Sequence, residues 1–386
     1  MAFFKIKKQT FWAVHSFLGL LVGIPMLIVA VTGSVLVFKD EINALLMPEQ
    51  VVAEPTPTGR LSYDQLYQRV NEQIPGYLAV GWAIYDDPTQ MDFLYFMKVG
   101  ESEWLHTYLN PYTGKLSSQP RALDSDLMGW TVELHDKLLA GHFGTLVVGI
   151  IAILLFVLGL SGFLLYRGFW KNLFKMQFRR SLRQVSGNLH KRIGVISAPV
   201  FLILGFTGGW WNLSHIAYDG IFEHEDPGVE KIYMSESISL ENLVKQAEEK
   251  ILGYTTHYFA FPRESGNPLT LYGAIQGQST LRSPYGSMVS FDAQSGELLS
   301  SSRIQEGTYF SQFLDSFRPL HYGNFGGIFT RLIWCFLGIS PGILAVSGYL
   351  VWWKRTSVKK KKKKSSVAVP RFAGLKPSIP SRVIRE

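Results

Sequence analysis

An apolar run opens at His15-Ser16-Phe17-Leu18-Gly19 and closes at Thr32-Gly33. The same pattern returns 175 positions later, from His190-Lys191-Arg192-Ile193-Gly194 to Thr207-Gly208. The His-to-Thr spacing is 17 residues in both copies, with no gap. A second pair behaves likewise: His135 stands 26 residues before Ser161-Gly162, and His321 stands 26 before Ser347-Gly348. Self-similarity at a fixed offset indicates one structural unit used twice. Here it sets four histidines at equivalent points of four hydrophobic segments. An ionisable residue within or capping a membrane helix is a functional-site hypothesis by default.

Four apolar runs carry the fold: Phe11–Phe38, Phe143–Tyr166, Ile193–Trp211 and Ile328–Trp353. Each reaches the roughly 20 residues that a helix needs to cross the hydrocarbon core. The first is too long for a cleaved leader and lacks a small-x-small cleavage site, so it is expected to remain a membrane helix. The net charge of +8 is concentrated at the span ends. Lys5, Lys7 and Lys8 precede the first run. Arg167, Lys171, Lys175, Arg179, Arg180 and Arg183 fill the short loop after the second, and Lys354, Arg355 and Lys359–Lys364 follow the fourth. No Asp or Glu lies between Asp136 and Asp219. This asymmetry places both termini and the short loop in the cytoplasm of a multi-pass inner-membrane protein, and it points to membrane lipid rather than nucleic acid. The lysine run either binds anionic headgroups or is a solvated tail.

The expected division follows the charges and runs: 1–40 first span with its cytoplasmic N-terminus, 41–130 first external domain, 131–168 second span, 169–189 cytoplasmic loop, 190–213 third span, 214–316 second external domain, 317–355 fourth span, 356–386 basic tail. In the first external domain, Ser62–Val70 has helical spacing with Ser62 as N-cap. Tyr77–Tyr85, Asp92–Val99 and Trp104–Leu109 read as strands, and Asn110-Pro111-Tyr112-Thr113-Gly114 turns the last of them back. The second domain repeats the plan, with Ser239-Leu240-Glu241-Asn242-Leu243 answering Ser62-Tyr63-Asp64-Gln65-Leu66 and Asp292-Ala293-Gln294-Ser295-Gly296 answering the turn. The fold class is therefore membrane α-helical, with four transmembrane helices, two extracytoplasmic α+β domains and a tandem duplication whose halves are parallel repeats.

These motifs together resemble the PepSY-associated transmembrane proteins: the His-x-x-x-Gly…Thr-Gly helices, the Leu-His before helices ending Ser-Gly…Tyr-Arg or Trp-Trp-Lys-Arg, and the two strand-turn units. The resemblance covers all but about the last thirty residues. It implies PepSY-like external domains and an inner-membrane haem-b protein of iron uptake that reduces a ferric siderophore, or similar ferric chelate, in the periplasm.

Haem b in a helical bundle needs two axial ligands from facing helices. His15 and His190 are expected to bind one iron near the cytoplasmic side, with Gly19 and Gly194 admitting the macrocycle and Lys191 and Arg192 pairing with its propionates. His135 and His321, expected just outside the periplasmic ends of spans two and four, would hold a second haem, with Arg318 as propionate partner. The bland alternatives are imidazoles that hydrogen-bond across a helix interface and, for the outer pair, solvated interfacial histidines. His142, seven residues after His135 and on the same face of one continuous helix, breaks the symmetry but is a substitute ligand, as is His215 at the end of span three. His224, amid Glu223, Glu225 and Asp226, is more readily a solvated loop than a metal site.

The single cysteine, Cys335, excludes a disulfide within one chain, and no Cys-x-x-Cys-His exists for covalent haem. No phosphate-cradling loop, Gly-x-Ser-x-Gly elbow or His-Glu-x-x-His appears. Electrons would then come from a separate cytoplasmic or quinone donor. Trp104, Tyr108, Tyr258, Phe259 and Tyr272 form a possible aromatic platform for the chelate, core packing being their ordinary use. The rival reading is a haem-free PepSY sensor or scaffold that binds peptides or regulates a peptidase.

Overall fold

The computed structural model describes residues 8–166, 181–219 and 228–367. The charged loop 167–180, the His224 cluster and the end of the basic tail lie outside the described residues. The helical part contains three helices long and apolar enough to cross a membrane: α7 (Gly141–Leu165), α8 (Leu182–Asp219), and α12 (Gly327–Gly338) running on into α13 (Ser340–Val367). Ile339, between the last two, keeps helical backbone.

The first apolar run is not one straight rod. It forms α1 (Lys8–Leu21) and α2 (Gly23–Leu36), bent by 66° at Val22. Pro25 accounts for the break: it lacks an N–H, and its ring opposes the carbonyl four residues back, at Leu21. By contrast α8 accommodates Pro199 and continues unbroken.

Short helices α3 (Lys39–Leu46) and α4 (Pro48–Val51) lead from α2 to an antiparallel sheet packed under α5 (Tyr63–Gln73) and α9 (Leu240–Lys250). Its strands are β1 (Tyr77–Ala83), β2 (Asp92–Lys98), β3 (Leu105–Leu109), β4 (Arg121–Ala122), β5 (Tyr254–Ala260), β6 (Leu269–Ile275), β7 (Ser287–Phe291) and β8 (Leu298–Ser302), in the order β4-β3-β2-β1-β5-β6-β7-β8. The segments between the apolar helices thus share one sheet, joined where Gly81, Trp82 and Ala83 face Ala260, Phe259 and Tyr258. They also share one core, with Leu66 and Val70 from α5 and Leu243 and Ala247 from α9 packed on Trp82, Leu94, Phe96, Phe259 and Phe291.

The helix starts lock the halves together. Ser62 and Gln65 form the capping box of α5. Asp64, in the first turn of α5, accepts from the backbone N–H of Leu240 at 2.6 Å and from Ser239 Oγ at 2.6 Å, while Glu241 of α9 accepts from the N–H of Tyr63 at 3.2 Å. Each carboxylate therefore sits at the positive end of the other helix.

Between sheet and bundle, the chain turns back twice. Helix α6 (Leu127–Lys137) ends at Leu138 and Leu139, both left-handed at φ 50° and 57°, before α7 begins. Helices α10 (Tyr309–Asp315) and α11 (Phe317–Tyr322) precede a left-handed Gly323 and then α12. The expected continuous helix from His135 to Phe143 does not form. Two consecutive non-glycine residues with positive φ interrupt it, so His135 and His142 stand on different helices and share no face.

Candidate functional site

Each of the four register histidines is seated on a hydroxyl-glycine dipeptide of its own half of the chain. His15 of α1 has Nδ1 2.8 Å from Ser161 Oγ of α7. His190 of α8 has Nδ1 3.0 Å from Ser347 Oγ and 3.1 Å from the Leu344 carbonyl of α13. His135 of α6 has Nδ1 3.1 Å from Thr32 Oγ1 and 3.0 Å from the Val29 carbonyl of α2. His321 of α11 has Nδ1 2.8 Å from Thr207 Oγ1 of α8.

The glycine of each dipeptide makes room for the ring. A Cβ on Gly33 would stand 2.6 Å from His135 Cε1, and one on Gly208 would stand 3.1 Å from His321 Cε1. On Gly162 and Gly348 the distances to His15 and His190 Cε1 are 3.3 Å. The glycines expected to give close approach, Gly19 and Gly194, meet only leucine methyls at 3.8–3.9 Å. The close approaches to the imidazoles belong to the dipeptides, which the sequence reading used only to mark span ends. The fixed spacings of 17 and 26 residues were the signal.

These partners fix the tautomer. Carbonyl oxygens only accept, so Nδ1 of His135 and His190 carries the hydrogen. The hydroxyls of Ser161, Thr32, Thr207 and Ser347 already donate to the carbonyls of Leu158, Ile28, Ile203 and Leu344, so they accept from the imidazoles. All four rings are left with a bare Nε2 lone pair, and among the described residues no hydrogen bond engages any of the four Nε2 atoms.

The rings then meet across the halves. His15 and His190 have ring centroids 6.3 Å apart, and His135 and His321 have theirs 6.5 Å apart. These are edge-on ring contacts at ordinary packing distance, and each brings one imidazole from either half of the chain together. Among the described residues no three His, Cys, Asp or Glu side chains converge as a metal cage. What the site offers is two pairs of neighbouring imidazoles, each pair drawn from both halves of the chain.

The outer pair is not a solvated interfacial pair. His135 packs against Val29 and Thr32 within the bundle, and His321 rests between Thr207 and the Trp211 ring, 5.2 Å away. Arg318, one turn before His321, stacks between Tyr285 and Tyr322 at 4.7 and 5.0 Å. Lys191 is exposed, with Nζ 5.9 Å from the Tyr166 ring centre, and Arg192 is half-buried. His142, in the first turn of α7, has a buried Nε2 without a hydrogen-bond partner. His215 is exposed near the end of α8.

The aromatic platform divides. Phe259 is in the shared core and Tyr108 is buried, so neither presents a face to a ligand. Tyr258 lies 6.3 Å from Tyr272 and 6.2 Å from Tyr285, and Trp104 lies 5.8 Å from Tyr95. Asp126 caps α6 through the Gly129 N–H at 2.8 Å and stands 3.5 Å from the buried His106 ring. Burial works to raise its carboxyl, but His106, the Gly129 N–H and Arg121 outweigh it and hold the group below its ordinary value.

Two comparisons with known proteins bear on this arrangement. The chain is 24% identical over 255 residues to "Uncharacterized protein PA4219" of Pseudomonas aeruginosa, which covers 58% of this chain and 62% of that protein's length. The family described as "PepSY-associated TM region" matches residues 12–355, a stretch that takes in all four histidines and the whole sheet. This chain is a member of the PepSY-associated TM region family of membrane proteins.

Proposed function

We propose that the protein is a bacterial inner-membrane oxidoreductase that carries electrons across the membrane and reduces a ferric siderophore or similar ferric chelate in the periplasm. The observation that carries this reading is the two pairs of adjacent imidazoles, one from each half, each ring with Nδ1 engaged by a hydroxyl or carbonyl and no hydrogen bond at Nε2. Such orientation of the second nitrogen is how proteins prepare histidine as a metal ligand. With only two side chains at each level, the pairs suit a group that brings its own equatorial donors, as haem b does. His15 and His190 would hold one haem and His135 and His321 the other. When bound, each supplies a one-electron centre.

The residues around the pairs have matching tasks. The hydroxyl-glycine seats hold the imidazoles in orientation and keep the helices close. Arg318, stacked on Tyr285 and Tyr322 one turn before His321, would pair with a propionate; Lys191 and Arg192 adjoin His190 and would pair with those of the other haem. Tyr258, Tyr272 and Trp104 offer aromatic surface for the chelate. Reduction is a release strategy, because hard oxygen ligands favour Fe(III) and hold the softer Fe(II) weakly.

In this reading the bent pair α1–α2 counts as one span, giving four, and the halves are a tandem duplication in which each site takes one histidine from each half. The short basic loop and both termini face the cytoplasm, where the electron donor, a soluble reductase or a quinone, meets the inner pair. An absorption spectrum of detergent-purified protein tests the reading. The expected result is a Soret band with a b-type pyridine haemochrome and two haems per chain. No Soret band after expression with ample haem returns the protein to the class of haem-free sensors.

A further inference from the structure

Helix α10 has two unlike faces. Gln312 donates to the carbonyls of Gln305 and Gly307 at 3.1 and 3.0 Å and accepts from Arg282 at 2.8 Å, while Asp315 accepts from the Ser283 N–H at 3.0 Å. The polar face is thus tied to the sheet. On the other face Tyr309 is 95% exposed, Phe310 60% and Phe313 50%. A soluble surface seldom leaves three neighbouring aromatic rings uncovered.

That face is continuous with the outside of α8. Phe310 lies 6.3 Å from Trp210, and Phe313 lies 6.2 Å from Phe206, both of them partly exposed on a helix long and apolar enough to cross a membrane. Trp and Tyr at such a level are the residues of the membrane–water boundary. Buried under the same rings is Phe317, 4.9 Å from Phe313, 5.5 Å from Phe206 and 6.1 Å from Trp210. Phe317 opens α11, the helix of Arg318 and His321.

We infer that α10 is an interfacial membrane anchor: its Tyr309–Phe310–Phe313 face lies among the lipid headgroups and upper acyl chains, and through Phe317 it holds α11 against α8. This goes beyond the electron-transfer reading and does not depend on it, since the anchor is defined by exposure and packing alone. A short helix with an apolar face and a tethered polar face sits in the plane of the interface. The occupant is lipid because the patch extends a membrane-facing helix surface.

The test uses the full-length protein in lipid nanodiscs, with Cys335→Ser as background. Phe310→Cys carries a bimane fluorophore, and Leu252→Cys, in the exposed turn between α9 and β5, serves as the water-facing control. Lipids labelled with a nitroxide high on the acyl chain should quench the probe at 310 at least twofold more than at 252, with iodide showing the reverse order. Iodide quenching at 310 as strong as at 252 overturns the proposal by placing α10 in water. Protection at 310 from both quenchers overturns it by showing a protein cover, a second copy or a partner. For the anchoring arm, the triple variant Tyr309→Ser, Phe310→Ser, Phe313→Ser should speed amide exchange in residues 317–322 about tenfold while β1 and β5 stay unchanged. Unchanged exchange there removes the link from α10 to α11.

Discussion

Thr207 Oγ1 lies 2.8 Å from Nδ1 of His321 while donating its own hydrogen to the Ile203 carbonyl at 2.8 Å. The hydroxyl is therefore an acceptor with a fixed lone pair, and it leaves His321 Nε2 as the nitrogen free of that contact. Thr32 stands in the same relation to His135.

Thr207→Val keeps the volume and removes the acceptor. Loss of such a supporting hydrogen bond typically costs about 10- to 100-fold in the affinity of a histidine-held metal group. If the pairs hold haem as proposed, its dissociation from the His135–His321 site should accelerate by about that factor, with the His15–His190 site unaffected. Thr207→Ser should restore the wild-type rate.

The glycine seats should rank by the space they leave. Gly33→Ala forces a carbon to 2.6 Å from His135 Cε1, whereas Gly162→Ala brings one only to 3.3 Å from His15 Cε1. Haem content should fall to about half in Gly33→Ala, the outer site alone being lost, and stay close to complete in Gly162→Ala. Equal losses in both would mean that the dipeptides do not set the ring positions.

Ligand pairs should be separable. Along unbroken α8, His190 and Thr207 are 17 residues apart, about 25 Å at 1.5 Å per residue. His15→Ala with His190→Ala should remove one haem and abolish reduction driven from the cytoplasm. His135→Ala with His321→Ala should remove the other and stop turnover of the ferric chelate. Full haem and activity in both double variants would end the reductase reading, and full haem in the second alone would move the outer ligand to His142 or His215.

Topology has its own check. Cysteine at Ser181, in the Cys335→Ser background, should resist a membrane-impermeant thiol reagent in intact spheroplasts, and cysteine at Leu252 should react. The opposite pattern would reverse the proposed direction of electron flow.

The Asp126 carboxyl, held below its ordinary 3.8 in the fold, contributes stability that is present above that value and is lost as pH falls through the lower folded value. Acid should therefore loosen the start of α6 below about pH 4, seen as faster exchange of the Gly129 amide. Asp126→Asn should flatten that dependence while keeping the cap.

Much of this was legible from repetition. The histidine pairs came from matched offsets, Ser62 was read as the cap it is, and the three strands expected in the first half fall within two residues of their expected ends, the two-residue β4 going unread. Local chemistry decides such features. The 66° bend was less visible because hydropathy is uniform across Pro25. The break at Leu138-Leu139 was hidden because leucine gives no hint of positive φ. That Phe259 is core rather than platform depended on the face of β5 chosen by long-range pairing, and the single sheet depended on β1 meeting β5.

That central pairing sets an order of assembly. When β1 emerges from the ribosome its partner β5 is still about 170 residues away, and α7 and α8 come between. The first half must wait with an open strand edge, a hazard for aggregation. A pairing of such long sequence separation forms slowly, because the loop-closure entropy is lost before the contact compensates for it. The paired histidines also come from both halves. Maturation of the sheet and completion of the two histidine pairs are thus late events of biosynthesis, and a chain stalled after α7 would have neither.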